Sequence, residues 1–416
     1  MNQYLECTVC QHQSAIQPET VCPSCFGPLE VRYDYDSIRS SLTAGDIGQR
    51  PTTMWRYHEL LPSIDRGTPD TPVGWTPLVK APRLGRALGL SRLYVKNDAV
   101  NYPTLSFKDR VVSVALAKAI DFGFETVACA STGNLANAVG AQASLLGLKG
   151  LLFIPQDLEP LKIIGSACYS SQVIKVNGNY DAVNRFCTEL AYRENLAVVN
   201  VNLRPFYSEG SKTVAFEIAE QLGWQLPDQV VVPMAGGSLI SKIGKAFAEL
   251  QRVALVPEKA AAIFGAQATG CAPISTLVKT GAQEQLPVIP DTEVKSLAIG
   301  SPADGLKAAK TIRESGGWAE DVTDEEAAAG IILLAETEGI FAEAAGGVTV
   351  AVTQKLATQG KLDPDAVTVI CITGNGLKTA GLIASRAENL PVIEPKYSSY
   401  REITDNKLEA NHVSAI

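Results

Sequence analysis

Short apolar runs alternate with stretches whose apolar residues recur at helical spacing through most of this chain, and that alternation limits the fold more than any other feature. Strands linked by helices must lie parallel, with the helices covering the sheet. Segment 92–96 reads as a strand, and a first series follows as strands 126–130, 150–154, 172–176 and 197–201 with helices 135–146, 160–167 and 181–194. A second series reads as helix 212–222, strand 229–233, helix 239–250 and strands 261–266 and 367–372. The simplest arrangement is an α/β protein of two sheets with a cleft between them.

A chain of 416 residues with 46% hydrophobic and 19% charged residues describes a globular body able to bury a large core. No apolar run approaches the roughly 18 residues a membrane span needs. The first six residues lack the basic and apolar regions of a secretory leader, so a cytoplasmic protein with no membrane partner is expected. A net charge of -8 argues against nucleic acid as a partner, because a phosphate backbone calls for a basic face.

Four of the nine cysteines fall within the first 25 residues. Cys7-x2-Cys10 and Cys22-x2-Cys25 are two knuckles separated by 11 residues, the pattern that brings four thiolates around one zinc ion. So short a segment cannot bury enough surface to fold alone, whereas a structural zinc contributes on the order of 10 kcal/mol. Four cysteines leave no open coordination position, so a structural metal is expected; disulfides or free thiols are the alternatives. Cys129, Cys168, Cys187, Cys271 and Cys371 read as small core residues. The expected organisation is a zinc ribbon (1–34), a proline-broken connector (35–74) with a short helix at 54–61, a core (75–393) containing a smaller α/β subdomain at roughly 110–205, and a polar tail (394–416).

Lys108 stands in Pro103-Thr104-Leu105-Ser106-Phe107-Lys108-Asp109-Arg110, at the mouth of a helix expected over 111–120. Asp109 falls in the first turn, where a carboxylate complements the helix dipole. Flanked by Phe107 and Leu105, the amine is expected to lose solvation, which lowers its pKa and frees its lone pair for Schiff-base chemistry with a carbonyl. A solvated surface lysine is the alternative.

In parallel sheets ligands sit beyond the carboxyl ends of the strands. Three post-strand turns stand out there. Ser131-Thr132-Gly133-Asn134 offers hydroxyls and N–H groups for a carboxylate and an amide for a phenolate-like oxygen, or else a plain helix cap. Ala235-Gly236-Gly237-Ser238-Leu239 lets backbone N–H groups approach a phosphate, without being a nucleotide fingerprint. Thr373-Gly374-Asn375-Gly376 places a hydroxyl where it could face a ring nitrogen. A lysine for an aldehyde, a phosphate cradle, an amide for an oxygen substituent and a neutral hydroxyl for a ring nitrogen together match pyridoxal phosphate.

Ser106-Phe107-Lys108-Asp109 and these three turns resemble the motifs of the threonine synthases, fold type II pyridoxal-phosphate enzymes, in the form preceded by a zinc ribbon. The resemblance implies a two-domain, tryptophan synthase β-like α/β fold and a homodimer. It implies that Lys108 carries the cofactor and moves protons, with Phe107 beside it and Asn134 on the ring oxygen. Gly236, Gly237, Ser238 and Leu239 would hold the cofactor phosphate and Thr373 would face the ring nitrogen. Ser131 and Thr132 would receive the substrate carboxylate. The implied reaction turns O-phospho-L-homoserine and water into L-threonine and phosphate. Its substrate phosphate needs a cation, for which Arg204 is the first candidate and Lys212 the second.

Two rival readings remain at this level. Another fold type II enzyme, such as a cysteate synthase, an O-phosphoserine sulfhydrylase or a threonine/serine dehydratase, would share the lysine and cradle. A non-enzymatic scaffold whose ribbon binds a partner or nucleic acid would not need them, and basic residues are not clustered near the ribbon.

Overall fold

The alternation of strands and helices becomes two separate sheets in the computed structural model, which describes residues 3–403 except 132, 157 and 389. Strands β1 (Tyr4–Cys7), β2 (Gln13–Ser14) and β3 (Leu29–Arg32) form a small antiparallel sheet in the order β2-β1-β3. The next two, β4 (Leu78–Lys80) and β5 (Arg92–Asn97), lead into the body. A four-stranded parallel sheet then uses β6 (Thr126–Ala130), β7 (Lys149–Pro155), β8 (Gln172–Val176) and β9 (Ala197–Val198), in the order β8-β7-β6-β9. The larger sheet adds β10 (Gln229–Pro233), β11 (Ala262–Ala268), β12 (Ala319–Val322) and β13 (Val367–Ile372) in the order β12-β11-β10-β13-β5-β4. Only β4 is antiparallel to its neighbour in that sheet.

Every residue of β10 is buried, and five of the six in β13, as strands covered on both faces must be. The strand expected over 197–201 stops at Val198. There Asn202 turns back to accept the Val198 N–H at 2.8 Å, and the Val201 N–H bonds the Val198 carbonyl at 2.9 Å. The stretch between β11 and β13, for which the sequence raised no expectation, holds β12 and the helices Pro273–Thr280, Gly305–Glu314, Asp324–Glu338 and Ala344–Thr358. The last two are rich in alanine and glycine, so no apolar stripe stands out from the other faces. They touch through their backbones: a β-carbon on Gly347 would lie 2.2 Å from the Ala327 carbonyl oxygen.

The Lys108–Asp121 helix rests on a buried ionic cluster. Arg110, with no exposed surface, reaches Asp98 through Nε at 2.7 Å and Glu217 through Nη1 at 2.5 Å and Nη2 at 2.8 Å. Lys96 adds a 2.6 Å bond to Glu217. Asp109 was expected to complement the helix dipole. It stands in the first turn as expected, and it also accepts from the Thr104 N–H and hydroxyl at 3.0 and 2.8 Å, which clamps the preceding loop around the lysine.

Cys129, Cys187, Cys271 and Cys371 are buried as expected, but Cys168 is exposed just past the Pro160–Ala167 helix. Residues 380–403 belong to a separate unit containing the 3-10 helix Gly381–Ala387. Of the expected tail, 404–416 lie outside the described residues. Among the described residues no helix is long and apolar enough to cross a membrane.

Candidate active site

The turns that follow β6, β10 and β13, together with the start of the Lys108–Asp121 helix, border one cavity of about 320 Å3. Lys108, Phe107, Ser131, Asn134, Arg204, Gly236, Gly237, Ser238, Leu239 and Thr373 all line it. Thr132 lies outside the described residues. Lys212 is the exception among the rest: it has no exposed surface and is held by Glu209 at 2.7 Å and Glu249 at 2.8 Å. Two carboxylates already neutralise that buried lysine, and it does not line the cavity, which removes it as a ligand for a substrate phosphate.

Lys108 Nζ faces the cavity 3.2 Å from the Tyr207 hydroxyl and 5.3 Å from the centre of the Phe107 ring. Burial lowers its pKa, and the more distant Tyr180 and Glu343 oppose that only in part. The amine is thereby biased toward its neutral, nucleophilic form. Leu105, expected to share in the desolvation, is 37% exposed and takes a left-handed backbone conformation with φ 59°. The aromatic residues Phe107, Tyr180 and Tyr207 do that work instead. Burial pushes Tyr180 up to about 12, so its hydroxyl keeps its proton near neutral pH.

The Gly236–Gly237 turn opens the Ser238–Arg252 helix, whose first N–H groups have no carbonyl within the helix to bond. Gly237 sits at φ 86°, and a β-carbon there would fall 2.8 Å from the Asp304 carbonyl oxygen. A β-carbon on Gly236 would meet nothing nearer than Ile299 Cδ1 at 3.9 Å. Ser238 Oγ is buried without a hydrogen-bond partner. An anion-sized space, oriented N–H groups and an orphaned hydroxyl together suit a phosphate.

Asn134, at the start of the Asn134–Leu146 helix, donates from Nδ2 to both Glu343 carboxylate oxygens at 3.0 and 2.9 Å, and its Oδ1 accepts from Lys378 at 3.1 Å. Ser131 Oγ accepts the Gly133 and Ala136 N–H groups at 2.9 and 2.8 Å, which makes it a helix cap whose own proton still has the cavity before it. Arg204 pairs with Asp304 at 2.7 Å, both partly exposed, so its guanidinium is engaged but accessible. Burial, opposed in part by Glu343 and Asp109, lowers the pKa of Lys378.

Sequence reasoning passed over Tyr180, Tyr207, Glu343, Lys378 and Asp304. Tyr207 had a local signal, being three residues beyond Arg204 on the same short helix, Arg204–Glu209. Glu343 had none, because it reaches Asn134 across 209 positions of sequence.

The four ribbon sulfurs lie within 4.8 Å of one another, with Cys7 and Cys25 3.4 Å apart and Cys10 and Cys22 3.7 Å apart. Tetrahedral zinc thiolates stand about 3.8 Å apart. The Val9 and Ser24 N–H groups point at the Cys7 and Cys22 sulfurs, each at 3.4 Å. Gly27 passes so close that a β-carbon would lie 2.9 Å from Cys7 Sγ. The donor set suits a metal ion.

Residues 70–374 match the family described as pyridoxal-phosphate dependent enzyme. The chain is 38% identical to a threonine synthase of Methanocaldococcus jannaschii, covering 88% of this chain and 91% of the relative. It is 35% identical to a threonine synthase of Methanosarcina acetivorans, covering 96% and 98%. Among solved structures it resembles threonine deaminase isoform 2 from Solanum lycopersicum, with TM-score 0.62 and 18% identity over 89% of this chain and 88% of that one. That likeness speaks for the fold alone. Family match, relatives and fold agree, and the chain belongs to the pyridoxal-phosphate-dependent enzymes, among the threonine synthases.

Proposed function

We propose that this protein is a lyase that converts O-phospho-L-homoserine and water to L-threonine and phosphate, with pyridoxal phosphate carried on Lys108. The observation that carries this reading is the position of Lys108: a desolvated amine opening onto the cavity that also holds the Gly236–Ser238 cradle. The relatives that span nearly the whole chain are threonine synthases.

The residues fit the cofactor. The cradle of Gly236, Gly237, Ser238 and Leu239 would hold its phosphate, Phe107 would pack beside it, Asn134 would bond its ring oxygen once its amide is released from Glu343, and Thr373 would stand opposite its ring nitrogen. Bound there, pyridoxal phosphate supplies an electron sink that weakens the Cα–H bond of an attached amino acid. Lys108 Nζ is the base that takes the Cα proton and carries protons between neighbouring substrate carbons, oriented by the Tyr207 hydroxyl. Ser131, with Thr132, takes the substrate carboxylate at the start of the Asn134–Leu146 helix. Arg204, released from Asp304, takes the substrate phosphate. The aromatic rings of Phe107, Tyr180 and Tyr207 shield Lys108 from bulk water.

Zinc held by Cys7, Cys10, Cys22 and Cys25 keeps the ribbon folded and takes no part in the reaction. The enzyme acts on a small phosphorylated amino acid, as a homodimer in the cytoplasm and without a nucleic-acid partner.

Incubation of the cofactor-loaded protein with O-phospho-L-homoserine tests this. Threonine and inorganic phosphate appear in equal amounts, and Lys108→Ala abolishes both together with the visible absorption of the lysine-bound cofactor. Retained cofactor absorption with no phosphate release moves the substrate to the dehydratase or sulfur-transfer class.

A further inference from the structure

The ribbon reaches the active cavity. Thr20 and Val21, in the segment leading to Cys22, border it directly. Thr20 also borders a second cavity of about 540 Å3 enclosed between ribbon residues and the body. The two cavities share Thr20, Arg204, Ser238, Ala303 and Asp304, so these residues stand where the catalytic space opens toward the ribbon. Arg204 marks the anion-attracting pole of that opening, since Lys108 is committed to the cofactor.

The ribbon is not loosely attached there. Glu30 on β3 binds Lys242 at 3.1 Å and also pairs with Lys307. Lys245 Nζ donates to the Val31 carbonyl at 2.8 Å, and the Tyr33 and Tyr35 hydroxyls donate to Glu209 and Glu249 at 2.7 and 2.8 Å. Lys242, Lys245 and Glu249 all lie on the Ser238–Arg252 helix, whose first turn is the phosphate cradle. These bonds anchor the end of the ribbon to the cradle helix, and Thr20, two residues from the cysteine Cys22 of the thiol cluster, borders the cavity from the same ribbon.

We propose that the ribbon supplies a substrate-specificity residue: the Thr20 hydroxyl, beside Arg204, donates to the distal phosphate of the amino-acid substrate. The proposal rests on the reading given under Proposed function. It gives the ribbon a task beyond folding, in that the same thiolate cluster that fixes Cys22 also fixes the wall carrying Thr20.

Thr20→Val removes the hydroxyl at nearly constant shape, and Thr20→Ser keeps it. In cofactor-loaded enzyme, Thr20→Val raises the KM for O-phospho-L-homoserine by about 10-fold or more, the scale of one hydrogen bond to a charged group, with kcat changed by less. The dissociation constant of inorganic phosphate, read from its perturbation of the cofactor absorption, rises in parallel. Thr20→Ser restores both, and cofactor affinity stays at the wild-type value throughout. An unchanged KM in Thr20→Val, or equal impairment in Thr20→Ser, overturns the proposal while wild-type turnover stands. A wild-type enzyme that binds cofactor but does not turn over the phosphorylated substrate overturns the functional reading, and this proposal with it.

Discussion

Asn134 and Glu343, 209 residues apart in sequence, meet amide to carboxylate: Nδ2 lies 3.0 and 2.9 Å from the two carboxylate oxygens. Gly374 makes the approach possible, since a β-carbon there would fall 2.3 Å from Glu343 Oε1. Glu343 thus fixes which way the Asn134 amide faces and sets a negative charge near Lys108.

The substitution Glu343→Gln removes that charge. Because Glu343 raises the Lys108 pKa against the larger effect of burial, the variant has a still lower Lys108 pKa. More of the amine is neutral at a given pH, so the rate of cofactor loading on the apo-protein, followed by visible absorption, reaches its plateau at lower pH. The same substitution sets an amide against the Asn134 amide, and cofactor affinity falls by about tenfold, equivalent to ~1.4 kcal/mol.

The cradle is tested by two glycine variants with different expected failures. Gly237→Ala forces a β-carbon into a φ 86° position 2.8 Å from the Asp304 carbonyl oxygen. The backbone alone costs about 1–2 kcal/mol, so both the thermal midpoint and cofactor affinity drop. Gly236→Ala has room in the folded protein, so the midpoint holds while the titrated affinity for pyridoxal phosphate drops.

The ionic cluster beneath the Lys108–Asp121 helix carries a pH signature. Burial pushes Glu217 up, but Arg110 and Lys96 outweigh it and hold its carboxyl down at about 2, against 4.5 in an exposed chain. A carboxyl depressed in the folded state contributes stability that is complete above pH 4.5 and is lost as pH falls toward 2. Glu217→Gln strands Arg110 and Lys96 in the interior and costs about 3–5 kcal/mol at neutral pH. The gap between variant and wild type narrows on acidification, which unfolding midpoints measured from pH 7 down to 3 will read.

Metal removal bears on the ribbon and, through Thr20, on the substrate end of the cavity, but not on the cofactor cradle. Zinc analysis of the purified protein is expected to find one ion per chain, released by a chelator at elevated temperature or by Cys10→Ser. The metal-free ribbon then becomes a substrate for limited proteolysis within residues 1–34, while the cofactor absorption persists because no cysteine ligand touches the cradle.

The order of strands and helices was legible wherever the apolar pattern had contrast, as in β6, β8, β10 and β13, whose ranges match those read from the sequence. It failed at the Asp324–Glu338 and Ala344–Thr358 helices, where small residues serve backbone contact and leave no amphipathic stripe. Lys212 shows the same limit for sites. It follows Glu209-Gly210-Ser211 in a stretch rich in candidate ligands, yet a buried carboxylate on another helix, Glu249, claims it.

By itself the sequence determined the parallel α/β architecture, the position of Lys108 at the mouth of a helix, the glycine turn that opens another and the spacing of four thiols. Each is local: a period, a turn or a spacing acts over a few residues. Only the tertiary structure decided which cations remain accessible, that Glu343 orients Asn134, and that Thr20 of the ribbon borders the catalytic space. Those outcomes depend on charges and side chains brought together from distant positions. Burial then makes each pairing exclusive, because a buried charge must find a partner and a lysine that has two carboxylates is no longer available to a substrate.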